Sequence, residues 1–256
     1  MRHFAMLAAA AALPWTVFAQ ADFNWSGMLS PGQTLEIKGV NGSIRAELAT
    51  GNVIEVTARK TANRSDPASV RIEVVPSSDG ITICSVYPSA GTQANYCEGG
   101  RGGHSDVRDN DVTVDFSVKV PAGIRFAPKT VNGSVTALGL RSDVNGVSVN
   151  GNVKIRTTGL ASAKSVNGSI EAAMGVASWN GSLDFKTVNG SIDLTLPPGA
   201  SADIHASSMS GNFRSDFPVT MNGRLEERKT EGRIGAGGRD LNLTTVNGAI
   251  TLHQGE

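Results

Sequence analysis

Between Phe23 and about Phe126, apolar and polar residues alternate in several short runs. Thr34-Leu35-Glu36-Ile37-Lys38, Val53-Ile54-Glu55-Val56-Thr57, Val70-Arg71-Ile72-Glu73-Val74 and Val112-Thr113-Val114-Asp115-Phe116-Ser117-Val118 are the clearest. A period of two puts every apolar side chain of a run on one face, so each run predicts a half-buried β-strand. Turn-rich pieces separate them: residues 63–68, Pro76 to Gly80, and a long loop from Pro88 to Asn110 that contains Gly99-Gly100-Arg101-Gly102-Gly103. No segment of this region has helical periodicity long enough to predict a helix.

From Lys129 onward one phrase takes over. Versions of Val-Asn-Gly-Ser-Ile stand at 40–44, 131–135, 166–170, 188–192 and 246–250. Aligned on the Asn, the positions are Asn132, Asn150, Asn167, Asn189, Ser210, Glu231 and Asn247, separated by 16 to 22 residues. A period near 20 is that of a solenoid coil. Asn-Gly between alternating apolar residues is also the strongest short-range signal for a β-hairpin, so an antiparallel meander or sandwich is the alternative. Only Val147-Ser148-Val149 separate Asn145-Gly146 from Asn150-Gly151. Three residues span about 10 Å, too short to serve as an arm of two hairpins at once.

The expected fold is therefore all-β: a single-stranded, β-helix-like solenoid of short strands, with Asn-Gly pairs at its corners. Those corners are Asn41-Gly42, Asn132-Gly133, Asn150-Gly151, Asn167-Gly168, Asn189-Gly190 and Asn247-Gly248. By the period of two, Val188, Ile192 and Leu194 should point inward and Thr187, Ser191 and Asp193 outward. Gly190 should occupy a backbone conformation or a crowded position that forbids a side chain, and the Asn amides should stack in a hydrogen-bonded ladder. Asn145, Asn180 and Asn222 would mark a second edge. Residues 22–128 read as a strand region capping a solenoid of residues 129–256, or residues 22–256 as one continuous domain. The last coil, Leu241 to Leu252, has no evident cap of its own.

Composition sharpens this picture. Thirty Gly with 5% aromatic residues supplies many corners and few large side chains. Lys plus Arg equals Asp plus Glu at 23 each, so no global field draws nucleic acid or an acidic membrane. Arg2 and His3 followed by the apolar run Phe4 to Leu13, with small residues at Ala19 and Ala21, read as a signal peptide over residues 1–21. The run is short of the ~20 residues of a membrane span, so the mature chain is expected to be exported without a transmembrane anchor, to the periplasm or the cell surface. An oxidising compartment makes Cys84–Cys97 a disulfide by default.

Candidate chemistry is sparse. His104, His205 and His253 lie far apart in sequence. Asp106, Asp109, Asp111 and Asp115 form the densest acidic cluster, but without the residue order of a calcium loop. Neither Gly-rich stretch is followed by Lys-Ser/Thr, no G-x-S-x-G elbow occurs, and no paired carboxylates recur at one coil position. No catalytic, cofactor or metal site is assigned, and a non-enzyme is expected.

Val120-Pro121-Ala122-Gly123, the serial Val-Asn-Gly phrases and the closing Ile234-Gly235-Ala236-Gly237-Gly238-Arg239-Asp240-Leu241 to Thr245-Val246-Asn247-Gly248-Ala249-Ile250 together resemble the bacterial "putative adhesin" family, exported β-repeat domains of unknown function. The resemblance runs from about Phe23 to His253. It implies a β-solenoid-like fold in an envelope or surface protein and supplies no catalytic residues. The functional expectation is a structural or adhesin-like binding role toward an envelope glycan or protein. The alternatives are an accessory protein docking an envelope partner through the loop from Pro88 to Asn110, and a polysaccharide-acting β-helical enzyme.

Overall fold

A computed structural model describes residues 23–100, 102–221 and 229–255. The expected signal peptide and Asn222 lie outside these residues. In chain order the strands are β1 (Phe23–Gly27), β2 (Thr34–Lys38), β3 (Ile44–Leu48), β4 (Ile54–Thr61), β5 (Arg71–Ser77), β6 (Gly80–Val86) and β7 (Thr113–Val120). Next come β8 (Arg125–Asn132), β9 (Val135–Leu140), β10 (Val144–Asn150), β11 (Val153–Thr157), β12 (Ala161–Lys164), β13 (Ile170–Met174), β14 (Ser182–Lys186) and β15 (Ile192–Leu196). The chain closes with β16 (Ala202–Ser208), β17 (Phe213–Ser215), β18 (Thr220–Met221), β19 (Lys229–Ile234), β20 (Asp240–Thr245) and β21 (Ile250–Gln254). Among the described residues the only helical piece is a 3-10 turn at Pro67–Ser69.

The strands form two long sheets facing one another across the core. One runs β1-β4-β7-β3-β9-β11-β13-β15-β21-β17; the other runs β18-β19-β16-β20-β14-β12-β10-β8-β2-β6-β5. A coil is one strand of the second sheet, a corner, and one strand of the first: β8 with β9, β10 with β11, β12 with β13, β14 with β15. Neighbouring coils pair in parallel and in register, so equivalent side chains stack. Ile44, Val135, Val153, Ile170, Ile192 and Ile250 make one such inward row, each wholly buried. Burying each of these side chains is worth about 1.5–3 kcal/mol, and the parallel register brings all six to one depth.

Order in space departs from order in sequence at both ends. The β6–β7 pair stacks outside β2–β3, although it comes later in the chain. At the far end β20–β21 slides between β14–β15 and β16–β17. The last coil is therefore interior and needs no cap. Antiparallel pairings close the stack instead, through β1, β4 and β5 at one end and, in the second sheet, through β19 and β18 at the other; the first sheet ends there on β17, parallel to β21. Glu231, aligned above as a corner, lies in β19 opposite His205. Its Thr-Glu-Gly-Arg-Ile matches the phrase in spacing, but here the segment runs back antiparallel along β16 instead of turning a corner. The chain position 128/129 falls inside β8, whose strand partners β2 and β10 come from either side of it.

The corners explain the phrase. A Cβ on Gly190 would land on the carbonyl of Gly168 and within 2.8 Å of Ser169 N; Gly133, Gly151, Gly168, Gly211 and Gly248 are crowded in the same way by the corner glycine of an adjoining coil. Coils thus approach closely only where no side chain stands. Beside each glycine, Asn amides link coil to coil: Nδ2 of Asn132, Asn150, Asn167, Asn189 and Asn247 donates to Oδ1 of Asn41, Asn132, Asn150, Asn167 and Asn189 in turn, each at 2.8 Å. Ser210 Oγ ends the row at 3.1 Å from Asn247 Oδ1.

The expected facing of two corner residues is reversed. Thr187 is fully buried and Val188 half-exposed. The chain turns just after β14, so the residue two before Asn points inward, where its hydroxyl has a partner: Thr187 Oγ1 donates to Gly168 O at 2.8 Å. Thr130, Ser148, Ser165, Thr245 and Ser208 do the same for Gly42, Gly133, Gly151, Gly190 and Gly248. Asn145 is no corner either, since Asn145 and Gly146 lie within β10, where Gly146 makes room for Val153 and Ile155. Asn180 sits exposed in the connection from β13 to β14.

Gly190→Ala should destabilise the protein by about 1–3 kcal/mol through overpacking at the corner. Gly51→Ala, at a site with open space around it, should stay within about 0.5 kcal/mol. Equal shifts in thermal melting for the two variants would refute the close-approach account. Thr187→Val, which keeps the shape but leaves the Gly168 carbonyl unpaired, should cost about 1–3 kcal/mol, while Thr187→Ser should restore most of it; denaturant midpoints read the difference.

Candidate functional site

In the β6–β7 coil the short corner is replaced by residues 87–112. Tyr87 closes the base of this loop: its buried hydroxyl donates to Val112 O at 2.8 Å, and burial pushes the phenol up to about 12. Inside the loop, Asn95 is buried, donates through Nδ2 to Tyr87 O and Asp106 O, and accepts from Asp106 N through Oδ1 at 2.7 Å. Cys84 in β6 and Cys97 in the loop form a disulfide.

The loop folds back over the outer face of the second sheet, where Glu36 holds it. Glu36, only 5% exposed, accepts from Thr82 Oγ1 at 2.9 Å and Gly100 N at 2.8 Å, and pairs with Lys129. Lys38 Nζ donates to the carbonyls of Glu98 at 2.6 Å and Gly102 at 3.0 Å. Burial lowers the Lys38 pKa, opposed by the Glu36 charge nearby. An acid and two lysines are thus consumed in fixing loop backbone, which gives the loop a set position.

Between loop and sheet lies a groove of ≈ 800 Å³. Val40, Val131, Val147 and Val149 line it from the sheet side, Tyr96 and His104 from the loop. Val40, Val131 and Val149 belong to a longer row, whereas Val147 lies level with Lys129 and Lys164. The Val before each corner Asn points outward, and the row continues through Val166, Val188 and Val246 to Met209, held in step by hydrogen bonds from Val188 N to Val166 O and Val246 N to Val188 O, both 3.2 Å. Val131, Val166 and Met209 are 38%, 39% and 57% exposed. A roofed groove at one end therefore opens into an apolar track along the solenoid, beside the Asn ladder. This row carries a signal in the sequence, the Ser/Thr-Val-Asn-Gly order, but the inward assignment of Val188 concealed it.

The residues considered as chemical candidates do other work. Asp111 accepts from the backbone of Asn63, Arg64 and Ser65, and the Ser65 bonds hold its carboxyl down at about 2. Asp115 accepts from Ser43 N, and Asp106 stands 3.6 Å from Arg108. Asp109 has a positive φ of 51° beside the groove. His205 and His253 lie apart, near Asp240 and Asp216. Among the described residues no group of three or more His, Cys, Asp or Glu converges as a metal site, and no helix is long and apolar enough to cross a membrane.

Comparison with known proteins fits this architecture. A structure from Clostridium sporogenes ATCC 15579, described as a "putative cell adhesion protein", aligns with 91% of this chain and 100% of its own at a TM-score of 0.51 and 11% identity. One from Bacteroides fragilis NCTC 9343, described as a "putative adhesin", aligns with 91% and 98% at a TM-score of 0.40 and 13% identity. At such identity the first shows likeness of fold alone. No curated protein matches the chain. The family model described as Toastrack DUF4097 matches residues 104–253, from the loop through the last coil. The chain belongs to the Toastrack DUF4097 family, a family of unknown function with a β-solenoid-like fold.

Proposed function

We propose that this chain is an exported, non-catalytic binding protein of the bacterial cell envelope with an adhesin-like role, and that it binds through the groove and the track leading from it. The observation that carries this reading is the groove itself: a concave site under a pinned loop, continuous with an ordered apolar row. Outward apolar side chains cost solubility, and a contiguous row of them marks a place that another molecule covers. The description of the Clostridium sporogenes structure, which names cell adhesion, supports the same reading. For a non-catalytic role, the groove's chemistry offers this support: Glu36, Lys38, Lys129 and Asn95 spend their side chains on building the walls.

Retention on immobilised cell-wall glycan and envelope preparations tests the proposal. The wild-type chain should be retained, and Val131→Glu and Val149→Glu should each weaken retention at least ten-fold without lowering the melting temperature by more than a few degrees. Leu138→Glu, an equally exposed apolar position on the other sheet, should leave retention unchanged. Retention indifferent to both groove variants, or turnover of a polymer by the purified chain, would sink the reading. The disulfide closes a loop with a sequence separation of 13. Its loss in a Cys84→Ser/Cys97→Ser variant should cost about 3 kcal/mol and expose residues 88–110 to limited proteolysis, read by mass spectrometry.

A further inference from the structure

Beyond the loop the track carries three parallel rows. The first is the Asn ladder. Each amide there spends one N–H and one acceptor site on its neighbours, and has a second N–H and a second lone pair to offer. The second is the row of Val166, Val188 and Val246. The third contains Lys164 and Lys186, two residues before Val166 and Val188 on the same outward side, and directly opposite one another in the parallel β12–β14 register. Both lysines are exposed and, among the described residues, neither side-chain ammonium has an ion-pair or hydrogen-bond partner. Like charges directly opposite on neighbouring strands are unfavourable. Elsewhere on the sheet faces Lys129, Lys119 and Lys154 are each matched by an acid, in Glu36, Glu47 and Glu171. The Lys164–Lys186 pair therefore stands ready for an anion from outside.

Resting on the binding role proposed above, we infer that the ligand of the track is an acidic glycan, a linear chain of sugar rings bearing carboxylates. Its hydroxyls meet the free amide positions of the Asn ladder, its C–H ring faces lie on the valines, and its carboxylates bridge Lys164 and Lys186. A peptide is a poorer occupant, because strand addition needs a free sheet edge. Here the corner backbone is already paired from coil to coil, as in Asn167 N to Val149 O at 2.7 Å and Asn189 N to Val166 O at 2.8 Å. A nucleic acid calls for more phosphate contacts than two free lysines supply.

The test is calorimetric titration of the full mature chain with oligogalacturonate and hyaluronan oligomers, against methyl-esterified oligogalacturonate of equal length. At least one acidic oligomer should bind, at least ten-fold more tightly than the ester, with affinity falling as salt is raised. A Lys164→Gln/Lys186→Gln double variant should lose that ten-fold preference while its melting temperature is unchanged. Equal binding of acid and ester, binding untouched in the double variant, or no binding of either acidic oligomer would each overturn the inference. So would tighter binding to phosphatidylglycerol vesicles than to the oligomers. In any of these cases envelope retention that still depends on Val131 would leave the binding role standing, so the two ideas fail separately.

Discussion

The close approach of coils at the glycine corners is the constraint on which the rest of the structure depends. With glycine on glycine, adjacent corners stack with the same spacing as the paired strands, and every other row is brought into step. The buried hydroxyls of Thr130, Ser148, Ser165, Thr187 and Thr245 then reach the corner carbonyls, which have no strand partner on that side. The Asn amides reach one another at a uniform 2.8 Å. Each hydrogen bond adds about 1 kcal/mol or less where it is exposed, but a buried carbonyl without one would cost more. The phrase Ser/Thr-Val-Asn-Gly thus has a separate physical task for each residue: inward cap, outward row, lateral link and close contact.

Closing such a stack is a separate problem, because an open parallel sheet offers its edge to any other chain. Here reversed strands interrupt the parallel stacking, β4 and β5 at one end and β19 at the other, while the first sheet ends at the far side on the parallel β17. Pro76 in the edge strand β5 removes one donor from that edge, and β17 and β18 are only three and two residues long. Sliding β20–β21 inside β16–β17 has a further consequence. The coil with the full Thr-Val-Asn-Gly phrase occupies the interior, and the degenerate Ser208-Met209-Ser210-Gly211 is left near the end, where the ladder has only one neighbour to satisfy.

Much of this was legible in the residues. Alternation found β2, β4, β5 and β7, the recurring phrase found the coil, and the Asn and Gly types named the corner contacts. What the sequence withheld is non-local. The periodic spacing of Glu231 could not tell a coil from an antiparallel return, because the deciding interaction is its pairing with β16 rather than anything in its neighbours. Thr187 and Val188 were turned the wrong way because a period of two was carried through a corner, where the chain rotates and the alternation breaks. A hydrophobicity rule then favoured Val inside, whereas the orphan carbonyl of Gly168 favours a hydroxyl there. Glu36 reads in sequence as an ordinary outward strand residue; only the fold places Gly100 and Lys129 against it.

The outward facing of Val188 has the wider consequence. Outward residues of a solenoid are usually solvent-facing and variable in purpose, so an apolar one at a single coil needs no account. Register changes this, since a choice repeated once per coil becomes a continuous line about 5 Å per step. The same geometry that makes the core from inward isoleucines makes a surface from outward valines, at no additional structural cost. The loop of residues 87–112 then breaks the symmetry. It replaces one corner only, and Glu36, Lys38 and Lys129 hold it above the line instead of letting it extend into solvent. One end of the track thereby becomes a bounded groove, and a repetitive scaffold acquires one place unlike its other described coils.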